Sequence, residues 1–275
     1  MSFLFRHIKR LLKKFLPGSI VAFVIRIRGE KLQSLDLSVL PVLTDCDAEK
    51  LSDSLLLEAQ ILPALGFNNE KLEEFPQELF PFCGKGLRHW QYPNQFGEYL
   101  VLLSKLKPAS YLEIGVRHGG TFIITLEYLK KFVPVKKAVA IDIAYPPSLA
   151  SYKKINNASR FYQLNSQTED FKKFLEKEKH FDLVFIDGNH EEAACVNDFY
   201  NIKDIANIIV LHDIVSDVCP GVVNSWAFIK KKYAAEFIFF EFTKQYESVK
   251  QKTRQSFFGI GLAVKKGFAD LRGIK

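Results

Sequence analysis

Five short apolar runs, at 110–114, 138–143, 161–164, 183–186 and 208–211, alternate with segments long enough to be helices. Strands joined through helices pair in parallel, because each crossover returns the chain to the same end of the sheet. The pattern therefore calls for a doubly wound α/β fold with helices on both faces of the sheet. A helix read at 225–232 is followed by two more strand-like runs, 236–242 and 257–264, with no helix-length pattern between them.

Open parallel sheets bind ligands beyond the carboxyl ends of their strands, so those positions carry the functional reading. The first run continues through Tyr-Leu-Glu-Ile-Gly-Val-Arg-His-Gly-Gly-Thr, residues 111–121. Gly115 makes a turn, and Gly119 opens a helix that reads as amphipathic on Phe122, Ile123, Leu126 and Leu129. Such a unit offers backbone N–H groups and the positive end of a helix, with no side chain in the way. The spacing Glu113-x-Gly115-x-x-x-Gly119 differs from the Gly-x-Gly-x-x-Gly of a dinucleotide pyrophosphate site. The second run ends at Asp142, 27 residues beyond Gly115, where an acid can accept hydrogen bonds from ribose hydroxyls. The third ends in Asn165-Ser166-Gln167, suited to an adenine edge, the fourth in Asp187-Gly188-Asn189-His190, and the fifth in His212-Asp213.

This ordered set resembles the class I S-adenosylmethionine-dependent methyltransferases. The segment Phe-Asp-Leu-Val-Phe-Ile-Asp-Gly-Asn-His at 181–190, with Asp198, Phe199, His212, Asp213, Gly221, Val222 and Trp226, is similar to the branch that includes sugar and glycan O-methyltransferases. The likeness runs from about Leu87 to Lys266. It implies a seven-stranded sheet with one reversed strand and S-adenosyl-L-methionine as cofactor. Glu113 and the Gly115 backbone would then face the methionine part, Asp142 the ribose, and Ser166 or Gln167 the adenine. A sugar hydroxyl needs help to act as a nucleophile, from a base or from a metal that acidifies it. His190 has an ordinary pKa near working pH and is the candidate base. Asp187 and Asp213 could share a divalent ion, magnesium or manganese, or else orient His190. The similar metal-dependent enzymes have an acid where this chain has His212, which weakens an all-oxygen site or moves it toward softer ions.

The net charge of +7 lies entirely in residues 1–31, which hold eight basic residues and one acid; the rest balances. No nucleic-acid groove is implied in the main body, and the Asn-Pro-Pro-Tyr element of amino-group methyltransferases is missing after strand four. Residues 3–16 put Leu4, Phe5, Ile8, Leu11, Leu12 and Phe15 opposite Lys9, Arg10, Lys13 and Lys14. This reads as a basic amphipathic helix, either lying on anionic lipid at the inner face of the membrane through residues 1–16 or docked on protein. The division expected is an arm at 1–31, a helical layer at 32–86 and the cofactor-binding domain at 87–275. In the layer, Asp47 would cap a helix running to about Leu65, with Gly66 as its stop, and a shorter piece would run from Glu70 to about Phe75. Asn94 would cap a helix lined by Phe96, Leu100, Leu103 and Leu106. Tyr92 and Gln95 stand where the similar enzymes lean a helix over the cofactor. Four scattered cysteines without zinc spacing read as free thiols of a cytoplasmic protein. The alternatives are a phenolic O-methyltransferase, a membrane-associated scaffold that keeps the cofactor fold, and an iron-dependent oxygenase using the two histidines. The helical layer would be a sensible place for a homo-oligomer contact.

Overall fold

The computed structural model describes residues 32–274. The basic arm, and with it the expectation of a membrane contact, lies outside the described residues. Among these, no helix is long and apolar enough to cross a membrane.

Seven strands form one sheet: β1 Ser110–Ile114, β2 Lys137–Asp142, β3 Ser159–Gln163, β4 Phe181–Ile186, β5 Ala206–His212, β6 Phe237–Phe242 and β7 Ile260–Lys265, in the order β3-β2-β1-β4-β5-β7-β6. All neighbours pair in parallel except β7, which runs antiparallel to both β5 and β6. The order reverses between β1 and β4, the switch point at which such sheets open a crevice.

Alternate residues of each strand feed two cores. Leu112, Ile114, Val139, Ile141, Val184 and Ile209 meet helices α4 Glu169–Glu178, α5 Glu192–Ile202 and α6 Pro220–Tyr233. Tyr111, Ala138, Ala140, Leu183, Phe185 and Val210 face α1 Pro93–Leu106, α2 Gly120–Leu129 and α3 Pro147–Ile155. Burying both faces of a strand explains why these runs are continuously apolar.

The segment before α1 adds a third layer. Leu43, Leu51, Leu57, Leu62 and Leu65 join the core of α1 and α2, and Tyr128 donates to the carbonyl of Leu51 at 2.8 Å. As a result α2, expected to be amphipathic, is buried along its whole length. Its inward acid, Glu127, is satisfied by Tyr152, Asn156 and Lys130. The long helix expected from Asp47 is broken. Asp47 caps only Ala48–Leu51. Asp53 then accepts from the N–H groups of Leu55 and Leu56 and starts a second run through Ser54–Leu56, a π-helical Leu57–Ile61 and Leu62–Leu65, which ends at Gly66 as expected. A cap inside a run stops it because its side chain takes the N–H groups that the helix would use. The Glu70 piece shortens to a 3₁₀ turn, Leu72–Glu74.

Two further expectations are corrected. Asn94 lies inside α1, whose first residue is Pro93; the proline has no N–H to satisfy and its φ suits that place. A helix, α7 Glu247–Thr253, occupies the connection between β6 and β7. Only Val249 of it is buried, so it leaves almost no apolar period to read.

Candidate functional site

The crevice forms where β1 ends against both neighbours. Gly115 N–H donates to Ile141 at 2.8 Å, and Asp187 N–H donates to Ile114 at 2.8 Å. Gly115 has φ +88°, and a Cβ there would stand 2.1 Å from the Asp187 carbonyl oxygen. A side chain is thus excluded by the β4 end itself as well as by anything bound in the crevice. Gly119, at φ +94°, backs onto Leu149 as α2 begins.

Around this turn the expected residues take definite places. Glu113 is buried and receives the Tyr111 hydroxyl. Burial, reinforced by Asp187 and Asp142, pushes its carboxyl well above the usual range against that hydrogen bond. Asp142 accepts backbone N–H groups from Arg117 at 2.7 Å and Ala144 at 2.8 Å, one on each oxygen. Burial raises its pKa despite those bonds. Each carboxylate oxygen can accept a second hydrogen bond, so Asp142 can hold the turn and a ligand together.

Ser166 and Gln167 are both tied to Asp198. Ser166 Oγ donates to Asp198 at 3.1 Å and Gln167 Nε2 to the other Asp198 oxygen at 2.7 Å. Asp198 is fully buried on α5, and burial lifts its pKa to about 7. This acid stood in the sequence only as part of a resemblance; its role as anchor of the β3 end was missed. Tyr92 and Gln95 are buried too: Tyr92 donates to the Glu74 carbonyl, and Gln95 bridges Lys244 and Gly259. They fasten the layer and the closing strands.

Asp187, His190, His212 and Asp213 do come together. Asp187 Oδ1 lies 3.2 Å from His190 Nε2 and 3.2 Å from His212 Nδ1. His190 Nδ1 lies 3.4 Å from Asp213 Oδ2. Burial alone would raise the Asp187 pKa, but His212 and His190 outweigh it and hold the carboxylate far below its usual range. Burial likewise opposes charge on His190, yet Asp187, Cys219 and Asp213 raise it to about 11. His212 is 4% exposed and sandwiched by Phe185 and Phe258, with ring centroids 6.2 and 5.7 Å away. Asp213 adopts φ +64°, an uncommon backbone state that is held only by surrounding structure.

A participant not foreseen is Cys219, at the cap of α6. Its Sγ lies 3.1 Å from His190 Nδ1 and 3.1 Å from Asp213 Oδ2. The available signal was a cysteine directly before Pro220, six residues past Asp213. A second cluster joins Lys71, Glu74 and Trp90. Trp90 Nε1 donates to Glu74 at 3.0 Å, Lys71 pairs with Glu74 at 3.0 Å, Glu74 feels the Asp213 charge, and Lys71 that of Cys219. Arg117 rests 5.5 Å from the Trp90 ring and pairs with Glu70, which also holds His118 at 2.8 Å.

Residues 112–214 match a family model described as a methyltransferase domain. No curated protein matches the chain. Solved structures similar to it include the O-methyltransferase TomG from Streptomyces achromogenes, involved in tomaymycin synthesis and in complex with SAM; it is 17% identical, covering 64% of this chain and 80% of that one, TM-score 0.46. The O-methyltransferase from Bacillus cereus in complex with SAH is 14% identical over 84% of this chain and 96% of that one, TM-score 0.47. Cofactor-bound Rv0187 from MTB is 18% identical over 91% and 98%, TM-score 0.47.

Proposed function

We propose that this chain, whose residues 112–214 match a methyltransferase-domain model, is a class I S-adenosylmethionine-dependent methyltransferase that methylates a hydroxyl group of a sugar or glycan precursor. The observation that carries the reading is the bare glycine turn at the switch point, with Asp142 on one side and the Asp187–His190 pair on the other. The cofactor's adenosyl part would lie toward Asp142 and its sulfonium toward His190.

Transfer is an in-line displacement: the acceptor oxygen attacks the methyl carbon, the carbon–sulfur bond breaks, and the hydroxyl proton leaves. Holding the two reactants aligned supplies much of the barrier reduction. His190 takes the proton, and Asp187 orients the ring and balances its charge. The pairing that raises the His190 pKa makes the resting imidazole cationic. A bound sulfonium would disfavour a second positive charge on His190 and so favour the neutral ring that can accept a proton. Trp90, Lys71 and Glu74 give a flat ring with charged groups at its edge, which suits a polyhydroxylated acceptor. Asp187-Gly188-Asn189-His190 in place of an Asn-Pro-Pro-Tyr element favours oxygen over nitrogen as the atom methylated.

The expected metal donors, Asp187, His212 and Asp213, have ligand atoms within 4.8 Å of one another. Magnesium wants six oxygens and keeps several waters, and manganese also prefers an oxygen-rich shell. A buried imidazole between two aromatic rings supplies nitrogen and excludes water. The set does not fit magnesium or manganese, and no step is routed through either.

Calorimetric titration with S-adenosylmethionine and S-adenosylhomocysteine tests the reading. Saturable binding that weakens roughly tenfold or more in Asp142→Ala, with His190→Ala binding normally but transferring roughly 10²–10⁴-fold more slowly to a sugar acceptor panel, is expected. Absence of binding by the folded protein would overturn it and bring the scaffold reading forward.

A further inference from the structure

We propose that Cys219, His190 and Asp213 form a binding site for a soft divalent transition ion of the zinc type. Their donor atoms, Cys219 Sγ, His190 Nδ1 and Asp213 Oδ2, make a near-equilateral triangle with sides of 3.1, 3.1 and 3.4 Å. Ligand atoms on one face of a tetrahedral zinc stand about 3.3–3.8 Å apart, given bonds of about 2.0–2.3 Å. The triangle therefore needs to open by only a few tenths of an ångström, with the ion taking the place of the hydrogen-bonded protons that now close it. One sulfur, one imidazole nitrogen and one carboxylate oxygen select zinc, cobalt or iron over magnesium.

A second observation points the same way. A histidine that binds a metal through one ring nitrogen usually donates the other N–H to a carboxylate, which fixes its tautomer and orientation. His190 turns Nδ1 to the triangle and Nε2 to Asp187 Oδ1 at 3.2 Å. Asp213 is held in turn by its φ of +64° and by His212, whose Nδ1 is 3.6 Å from its other oxygen. Cys219 stands at the N-cap of the 14-residue helix α6, where burial and the Asp213 charge raise its pKa, so ion binding must release the thiol proton. Three protein ligands leave a fourth position for water.

Ion binding does not depend on the methyl-transfer reading, but its consequence does. With the ion bound, both nitrogens of His190 are committed and neither can take a proton. Zinc therefore inhibits the transfer proposed above, and a chelator restores it.

The test is a titration of the metal-stripped full chain with cobalt(II), followed by competition with zinc and magnesium. Expected is an intense thiolate-to-cobalt charge-transfer band in the near ultraviolet, with visible bands of tetrahedral cobalt, both removed by zinc and untouched by excess magnesium. Cys219→Ser should lose the charge-transfer band and weaken zinc binding beyond the roughly 10–100-fold that an outer partner costs, while keeping its far-UV dichroism. Cys195→Ser should keep the band. A failure to bind cobalt, a spectrum without the thiolate band, persistence of the band in Cys219→Ser, or displacement of cobalt by magnesium would each overturn the assignment. Because S-adenosylmethionine binding is measured separately, loss of this site and loss of the methyltransferase reading are distinguishable.

Discussion

Gly115 sets the tolerance of the crevice to a single atom. A methyl group there meets the Asp187 carbonyl oxygen at 2.1 Å and the backbone must keep φ +88°, so Gly115→Ala should cost about 3 kcal/mol or more of stability and abolish cofactor binding. Thermal melts paired with calorimetry would read both effects. Asp198 makes an opposite kind of prediction. Burial raises the pKa of its carboxyl to about 7, far above an ordinary aspartate. The folded state therefore holds a proton that the unfolded chain has released, and stability is greatest below pH 4 as far as this group is concerned. It falls as pH rises through the interval to about 7. Asp198→Asn keeps the shape, can accept from Gln167 and donate to Ser166, and should be more stable than the parent by roughly 2–4 kcal/mol at pH 8 with little difference at pH 4. Urea melts across that range would show a gap that opens with pH. For His190, pairing with Asp187 and Asp213 raises the pKa, so the rate of methyl transfer should climb on the alkaline side of an ordinary histidine, and His190→Gln should flatten that limb. Asp187, His190, His212 and Asp213 were readable because each stands within four residues of the end of an apolar run. Cys219 and Asp198 were not, since their partners come from other elements and no spacing along the chain reports them.

Elements were readable to the extent that burial gave them a period. The strands differ from expectation by a few residues at their ends because both faces are covered, which leaves unbroken apolar runs. Helices were harder wherever the third layer altered exposure: α2 lost its polar face to the layer, and α7 never had an apolar one. The break at Ser52 and Asp53 was hidden because residues 48–65 have helical periodicity throughout, while Asp53 imposes a local start. Asp53→Ala removes two backbone hydrogen bonds, 2.9 and 3.3 Å long. It should destabilise the protein by about 1 kcal/mol without affecting cofactor affinity, measured by chemical denaturation alongside calorimetry.

At the scale of the molecule, the described chain begins already fastened: Leu35 N–H donates to Ser148 Oγ at 2.6 Å and Asp36 N–H to the Gly86 carbonyl at 3.0 Å. We propose that residues 32–274 fold and bind cofactor without the arm. Deleting 1–31 should leave the melting temperature and S-adenosylmethionine affinity unchanged, take away the whole net charge of +7, and eliminate pelleting with anionic vesicles. Retained pelleting would place lipid contact elsewhere.

The sheet order has a consequence for how the protein is made. β7, last in the chain, is inserted between β5 and β6, and among the strands β6 pairs only with β7. A ribosome delivering the chain from its N-terminus therefore exposes β5 with a bare edge until residue 265 has emerged, and β6 waits with no partner strand. The parallel half can assemble before β7 has been made, whereas closure of the sheet waits for β7. Nascent chains stalled just short of Ile260 carry the open edges that invite association with other chains, so β7 acts as the lock that ends the vulnerable phase of biogenesis.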